Sequence, residues 1–188
     1  MIIGISGHMG AGKSTVCEVA INLVRPGGLP FIRIGFSDPL YKMLIAMGVP
    51  EDLVYNKHQW DEPLDVLCGR SIRYACDKLG NDYGRDMIGK EVWTRLGLER
   101  AKLHRSREHV PIIDNVRYLN EARAIVDAGG VVIAFTAPVL ANLTKPSERE
   151  IPEIHERYCR ANFHNTKKDL HADALNFRKV LDAIVTQC

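Results

Sequence analysis

Features that would point to a membrane or secreted protein are missing from this sequence of 188 residues. No apolar run approaches the roughly 20 residues that a membrane-spanning helix requires, so we expect no membrane partner. The N-terminus lacks the basic start and the small-residue cleavage site of a secretory signal peptide. These absences predict a cytoplasmic protein.

The cysteine pattern and the small net charge also argue against a metal-binding, disulfide-rich or nucleic-acid-binding protein. The five cysteines are scattered and form no C-x-x-C pair, which argues against a zinc site or a disulfide framework and predicts reduced, mostly buried thiols. The net charge of +2 is too small to indicate a nucleic-acid partner. With 46% apolar and 26% charged residues, the chain has the composition of one ordinary globular domain over residues 1–188.

Hydrophobic periodicity predicts strands that alternate with helices. The predicted strands are 2–6, 31–36, 110–114 and 131–136, and the predicted helices are 13–24, about 38–47, 91–104, 119–128 and 168–185. The segment from 49 to 90 is polar and broken by glycine and proline, so we expect short helices and elements that bind an acceptor. This order predicts an α/β fold with a central parallel sheet, helices on both faces and a mostly helical insertion at about 49–90.

The strongest motif follows the first predicted strand. Residues 7–14 read Gly-His-Met-Gly-Ala-Gly-Lys-Ser and match G-x-x-x-x-G-K-[ST], a pattern that a chain of this length contains by chance about 0.5% of the time. The glycines let successive backbone amides face phosphate oxygens, and the helix that follows adds its positive N-terminal end. We therefore predict a P-loop NTPase three-layer fold and an ATP site. The predicted ATP contacts are Gly7, His8, Met9, Gly10, Ala11, Gly12, Lys13, Ser14 and Thr15.

Two further segments are typical of a nucleotide site. Asp114 ends an apolar strand, where it is expected to hold Mg²⁺ together with Ser14, and Lys13 is expected to reach the β and γ phosphates. Arg117 follows in a turn that we place near the phosphates. The alternative for Asp114 is an ordinary turn or helix cap.

The middle segment contains candidates for binding a second phosphorylated substrate. Arginine grips phosphate oxygens in pairs, and Arg70, Arg73 and Arg85 all lie near glycines or polar turns. Surface charge is the alternative for each of them. For Trp60, Tyr74 and Tyr83 core packing is the first expectation, and stacking on a base is the alternative.

Four segments beyond the P-loop resemble the deoxynucleoside monophosphate kinases of bacteriophages, within the wider nucleoside monophosphate kinase group. They occur in that family's order, and an extra Asn115 interrupts the third of them. The four segments are Phe36–Lys42, Arg73 with Leu79–Arg85, Asp114–Glu121 and Ser147–Glu148.

The resemblance implies transfer of the γ-phosphate of ATP to a dNMP, with Mg²⁺ near Ser14 and Asp114. It also implies that the catalytic residues are Lys13, Arg73, Arg85 and Arg117. The acceptor contacts that it implies are Asp38, Lys42, Arg70, Arg73, Arg85 and Glu121. The resemblance does not identify the arginine that acts from a lid. It is either Arg149 or none of the arginines named above.

Other functions stay open at this point. A P-loop kinase for another small acceptor, such as dephospho-coenzyme A, shikimate or gluconate, shares the same motif. A nucleotide-dependent switch or a DNA-stimulated ATPase is disfavoured by the short chain and by the missing N-K-x-D motif. The sequence specifies neither the accepted bases, nor deoxyribose against ribose, nor whether the protein forms a homodimer; a phage protein would work in the host cytoplasm.

Overall fold

The computed structural model describes residues 1–23, 29–139 and 146–187. The end of the first predicted helix, at Val24, and its predicted stop at 25–28 lie outside these residues, as does Cys188. The chain divides into two compact units, Met1–Gly35 with Gly97–Cys188 and Phe36–Leu96. Each unit is described by itself below.

The elements follow one another in an α/β order. The strands are β1 Ile3–Ser6, β2 Phe31–Ile34, β3 Pro63–Leu64, β4 Arg70–Ser71, β5 Val110–Val116, β6 Val131–Thr136 and β7 Cys159–His164. The α-helices are α1 Lys13–Asn22, α2 Asp38–Ala46, α3 Glu51–Tyr55, α4 Ile72–Lys78, α5 Val92–Arg105, α6 Leu119–Asp127, α7 Pro146–Arg149, α8 Ile151–Arg157 and α9 Leu170–Thr186.

The first unit is built on a five-stranded sheet in the order β2-β5-β1-β6-β7, and every pairing in it is parallel. All residues of β1 are buried, which is the burial expected of a parallel strand with covered faces. Ile3 and Ile5 join the core that contains α1 and α9, whereas Gly4 faces Ile125 of α6 on the opposite side. The predicted parallel sheet flanked by helices is therefore confirmed.

The strand β7 and the short helices before it were not predicted. Exposed and partly buried residues alternate along much of β7, and Phe163 is its one buried residue. The strand lies at the edge of the sheet and pairs only with β6 among the described strands. An edge strand needs little apolar surface, so its hydrophobic pattern is weak. Phe163 nevertheless joins Phe135 and Phe177 in an aromatic cluster with ring centroids 4.8–5.5 Å apart.

The second unit contains the predicted insertion and extends beyond it on both sides. Its short helices surround a small core of Leu44, Val54, Trp60 and Ile72, and β3 pairs antiparallel with β4. The Trp60 indole donates to the carbonyl oxygen of Val54 at 3.0 Å. Core packing is thus confirmed for Trp60.

A π-helix, Leu79–Ile88, follows α4 within the second unit. The indole of Trp93 packs on Gly84, where an added Cβ would lie 2.2 Å from the ring, and its Nε1 donates to the carbonyl oxygen of Gly80 at 2.8 Å. A glycine is therefore required at position 84. Tyr74 and Tyr83 are each 43% exposed, so the expectation of core packing is wrong for both.

The described cysteines differ in burial, and they are not disulfide-bonded. Cys17 is buried in α1, whereas Cys68 is exposed. Burial, reinforced by the charge of Asp114, raises the pKa of the Cys17 thiol far above its ordinary range. Among the described helices, none has the length and apolarity needed to cross a membrane.

Arg178 of α9 closes the C-terminal end of α1. The buried guanidinium donates to the carbonyl oxygens of Ala20 at 3.3 Å and Leu23 at 2.6 Å, and it pairs with Asp182 at 2.9 Å. The terminal carbonyls of a helix lack partners within the helix. Arg178 supplies a hydrogen-bond donor to two of these carbonyls. Its guanidinium also lies 4.7 Å from the ring centroid of Phe31.

We predict that Arg178→Met destabilises the protein by about 2–4 kcal/mol, because buried carbonyls and Asp182 lose their donor. Arg123→Met is the matched control, since Arg123 forms an exposed i,i+4 pair with Asp127 and should cost about 0.5 kcal/mol. Urea unfolding measures both free energies. Equal effects of the two substitutions would contradict the capping role.

Candidate nucleotide site

The loop from Gly7 to Gly12 joins the buried strand β1 to helix α1. Gly10 and Gly12 have φ angles of 78° and 85°, a left-handed conformation that favours glycine. At Gly7 an added Cβ would lie 2.1 Å from the carbonyl oxygen of Phe135. Residues with side chains are thus disfavoured at these three positions, and backbone groups form much of the surface of the loop.

The first turn of α1 carries no acidic side chain, so the positive N-terminal end of the helix is not neutralised locally. Lys13 begins α1 and is buried. Its Nζ donates to the carbonyl oxygens of Gly7 at 2.6 Å and His8 at 2.8 Å, so the ammonium lies against the loop. Ser14 is half-buried and Thr15 exposed in the same turn. This arrangement suits an anion such as a phosphate.

Asp114 lies in β5, which pairs with β1. Its side chain is 2% exposed and accepts a hydrogen bond from Nε of Arg33 in β2 at 2.7 Å. The sequence analysis did not identify Arg33, although an arginine inside an apolar strand is itself a signal. The described residues contain no group of three or more histidine, cysteine, aspartate or glutamate side chains placed to hold a metal ion.

A buried carboxylate, Glu148 of α7, lies against the beginning of the loop. Its Oε2 accepts from Nδ1 of His8 at 2.9 Å and from the backbone N of Met9 at 3.0 Å, and its Oε1 lies 3.2 Å from the same backbone N. Oε1 also accepts from Nη1 of Arg117. Three parts of the chain therefore meet at one side chain that is 1% exposed.

Glu148 is ionised at neutral pH. Burial by itself raises the pKa of this carboxyl, but the hydrogen bonds from Met9 and His8 and the charge of Arg117 outweigh burial and lower the pKa below its ordinary value. An ionised carboxylate only accepts hydrogen bonds. His8 Nδ1 must therefore carry the hydrogen in its contact with Glu148.

Arg117 is held at its backbone as well. Oε2 of Glu121 accepts from the backbone N of Arg117 at 2.9 Å and of Tyr118 at 3.2 Å, which caps the start of α6. Glu121 is buried, so its geometry gives it a capping role; its predicted contact with a substrate stays a prediction. The predicted turn thus brings Arg117 next to the loop from Gly7 to Gly12, to which it is joined through Glu148.

Two more side chains support the loop and were missed. Nδ2 of Asn165, which follows β7, donates to the carbonyl oxygen of Ala11 at 2.7 Å, and Asn165 is buried next to Gly12. Nε2 of His155 in α8 donates to the carbonyl oxygen of Ser6 at 3.1 Å. Burial lowers the pKa of His155, which favours its neutral form.

The second unit carries the other predicted residues. Arg73 forms a forked pair with Asp61, with Nη2 to Oδ2 at 3.0 Å, and the hydrogen bond to Asp61 raises the pKa of Arg73. The guanidinium of Arg70 lies 4.9 Å from the ring centroid of Tyr74. Arg85 is half-buried, with Nη1 3.5 Å from the carbonyl oxygen of Lys90. Asp38 begins α2 and Lys42 is exposed on it.

Comparison with known proteins gives one informative relative. No family model matches the chain. A protein of Acanthamoeba polyphaga mimivirus named "Putative deoxynucleotide monophosphate kinase" is 30% identical over 166 residues, which cover 82% of this chain and 83% of that protein. The matched share includes most of the described structure.

We predict that Asn165→Ala weakens the binding of ADP about tenfold, because the Ala11–Gly12 turn loses the hydrogen bond that fixes it. Asn162→Ala is the control, since Asn162 lies on β7, three residues before Asn165, and is exposed. Isothermal titration calorimetry gives both affinities. Unchanged binding by the Asn165 variant would show that the loop keeps its shape without this contact.

Proposed function

Because the chain belongs to the deoxynucleotide monophosphate kinase family, a family of phosphotransferases, we propose that it transfers the γ-phosphate of ATP to a dNMP and releases ADP and a dNDP. The observation that carries this proposal is the glycine-rich loop after β1, with Lys13 against it, Arg117 joined to it through Glu148, and Asp114 on the neighbouring strand β5. Each of these groups suits a polyphosphate, and the family supplies the class of acceptor.

The ATP phosphates would bind to backbone amides of the loop and to the N-terminal end of α1. Lys13 Nζ lies on the carbonyl oxygens of Gly7 and His8, from which a lysine side chain can extend to the β and γ phosphates. The half-buried Ser14 completes the first turn. These groups would hold the donor and offset its charge before transfer.

A Mg²⁺ ion fits the donor atoms of this site. The hydroxyl of Ser14 and the carboxylate of Asp114 are hard oxygen ligands, and one or two protein ligands together with substrate phosphates are the usual surroundings of Mg²⁺. The ion, when bound, neutralises charge on the β and γ oxygens. The ion pair with Arg33 orients the Asp114 carboxylate within the sheet.

The acceptor would be bound by residues of the second unit. Arg70, Arg73 and Arg85 carry the forked donors that phosphate requires, and Asp38 and Lys42 lie on α2 of the same unit. The exposed rings of Tyr74 and Tyr83 are available for stacking on a base. Binding of the acceptor phosphate would compete with Asp61 for the guanidinium of Arg73.

The reaction that follows is an in-line displacement. An oxygen of the acceptor phosphate forms a bond to the γ-phosphorus, while the bond from that phosphorus to the bridging β–γ oxygen breaks and its electron pair leaves with ADP. The acceptor phosphate is already anionic near neutral pH, so no strong general base is required. Lys13 and Arg117 would stabilise the charge that spreads over the transferring group, and the arginines of the second unit would bind the acceptor phosphate.

We predict ADP formation in the presence of Mg²⁺ when dAMP, dCMP, dGMP or dTMP is offered separately, with turnover on one or more of them and little on the ribose forms. A coupled ADP assay measures this. Dephospho-coenzyme A, shikimate and gluconate are tested in parallel. Turnover on one of these and on no nucleotide, by folded protein that binds ATP, would overturn the proposed acceptor.

We also predict that Lys13→Ala lowers kcat by about 10³-fold, since a charge aimed at the transferring phosphate is removed. The fold should persist, which circular dichroism and urea unfolding check. Lys179→Ala, at an exposed lysine of α9, is the matched control and should leave kcat unchanged. A near-normal rate in the Lys13 variant would contradict its assigned role.

A further inference from the structure

Glu148 has a place in this site that the substrate contacts do not explain. It is almost fully buried, it comes from α7, and it accepts hydrogen bonds from His8, Met9 and Arg117. We propose that Glu148 is a positioning residue that fixes the Arg117 guanidinium against the first half of the phosphate loop, so that Arg117 faces the γ-phosphate. The proposal rests on the kinase function proposed above.

Glu148 contacts the first half of the glycine-rich loop. The backbone N of Met9 lies 3.0 and 3.2 Å from the two carboxylate oxygens of Glu148. Its hydrogen is therefore committed to Glu148, and the amides available to phosphate begin at Gly10. The contact with His8 Nδ1 at 2.9 Å adds a second point of attachment on the loop. Glu148 thus determines where the phosphate-binding part of the loop starts.

Arg117 is held both at its backbone and at its guanidinium. Glu121 accepts from its backbone N at 2.9 Å, and Glu148 accepts from Nη1 of its guanidinium. An arginine side chain otherwise loses rotamer entropy when it is ordered. Fixing both ends before the substrate arrives reduces this cost.

The charge of Glu148 is balanced by that of Arg117. A bare carboxylate beside the phosphates would repel them, but Glu148 is paired with Arg117, whose side chain is 25% exposed against 1% for Glu148. A guanidinium has five N–H donors, so the bond from Nη1 to Glu148 does not exhaust it. The buried partner orients the cation, and the more exposed cation remains able to meet an anion.

The position of Glu148 is itself supported by the next residues. Glu150 accepts from the backbone N of Leu119 at the start of α6, two residues after Arg117. His155 of α8 donates to the carbonyl oxygen of Ser6, directly before the loop. The segment that carries Glu148 is therefore attached to both of the elements that Glu148 joins.

The test is a double-mutant cycle with Glu148→Gln, Arg117→Ala and the double variant. Glutamine keeps the shape of glutamate, but its NH₂ group faces a donor and one contact is lost. Calorimetry measures the affinities for ADP and for a non-hydrolysable β,γ-imido analogue of ATP, and kcat is measured with the best dNMP. Glu153→Gln is the matched control, because Glu153 also pairs with an arginine but is exposed.

We expect each single substitution to weaken binding of the ATP analogue about tenfold more than binding of ADP, because only the analogue carries a γ-phosphate. We expect kcat to fall about 10²-fold or more, and the double variant to match Arg117→Ala alone. Glu148→Asp, which keeps the charge but is shorter by one methylene, should fall between wild type and Glu148→Gln.

Three results would overturn the proposal: additive losses in the double variant, equal losses for ADP and the analogue, or wild-type values for Glu148→Gln. If Glu148→Gln does not fold, Glu148→Asp takes its place in the cycle. The binding cycle needs no acceptor. Failure of the acceptor screen would thus leave this proposal testable, and failure of the cycle would leave the kinase function intact.

Discussion

The pairing of β1 on both sides is the constraint on which the rest of the structure depends. Because β1 lies between β5 and β6, the chain that follows each of the three strands emerges at the same edge of the sheet. The glycine-rich loop follows β1, Arg117 follows β5, and the carbonyl oxygen of Thr136 at the end of β6 accepts from the backbone N of Asn165. Parallel pairing thus gathers residues that are more than 100 positions apart in the chain.

Local chemistry explains how much was predictable. The loop and α1 were predicted because glycine, lysine and serine at this spacing after a buried strand are typical of a phosphate-binding loop. Asp114 was singled out because it was expected to end an apolar strand, although β5 continues past it to Val116. Asn165 and Arg33 were missed, because each acts through a contact that only the folded sheet creates. Glu148 was noted only within the segment Ser147–Glu148 that resembles the family, and its contacts were not predicted. His8 and Glu148 are 140 residues apart, and the local sequence around either residue does not predict their contact. The edge strand β7 escaped because it buries little apolar surface.

The second unit follows a different logic. Its core is small and its helices are short, so single aromatic side chains determine much of its shape: Trp60 closes one cluster, and Trp93 requires a glycine at position 84. Its candidate acceptor residues lie outside this core, where Arg73 is already paired with an aspartate. A unit of this kind tolerates change at its surface and resists it at a few internal positions. Surface substitutions in this unit are therefore expected to leave its small core intact.

The glycine-rich loop is supported by residues that follow it far along the chain. This order affects how the protein folds during synthesis on the ribosome. The loop is made before His155, Asn165 and the Arg178 that closes α1, which lie about 140 or more positions later in the chain. Until they emerge, β1 and α1 lack the partners that hold the loop open in its curved form. While the intervening residues are being made, the site is therefore incomplete, and nucleotide cannot stabilise β1 and α1 at that stage.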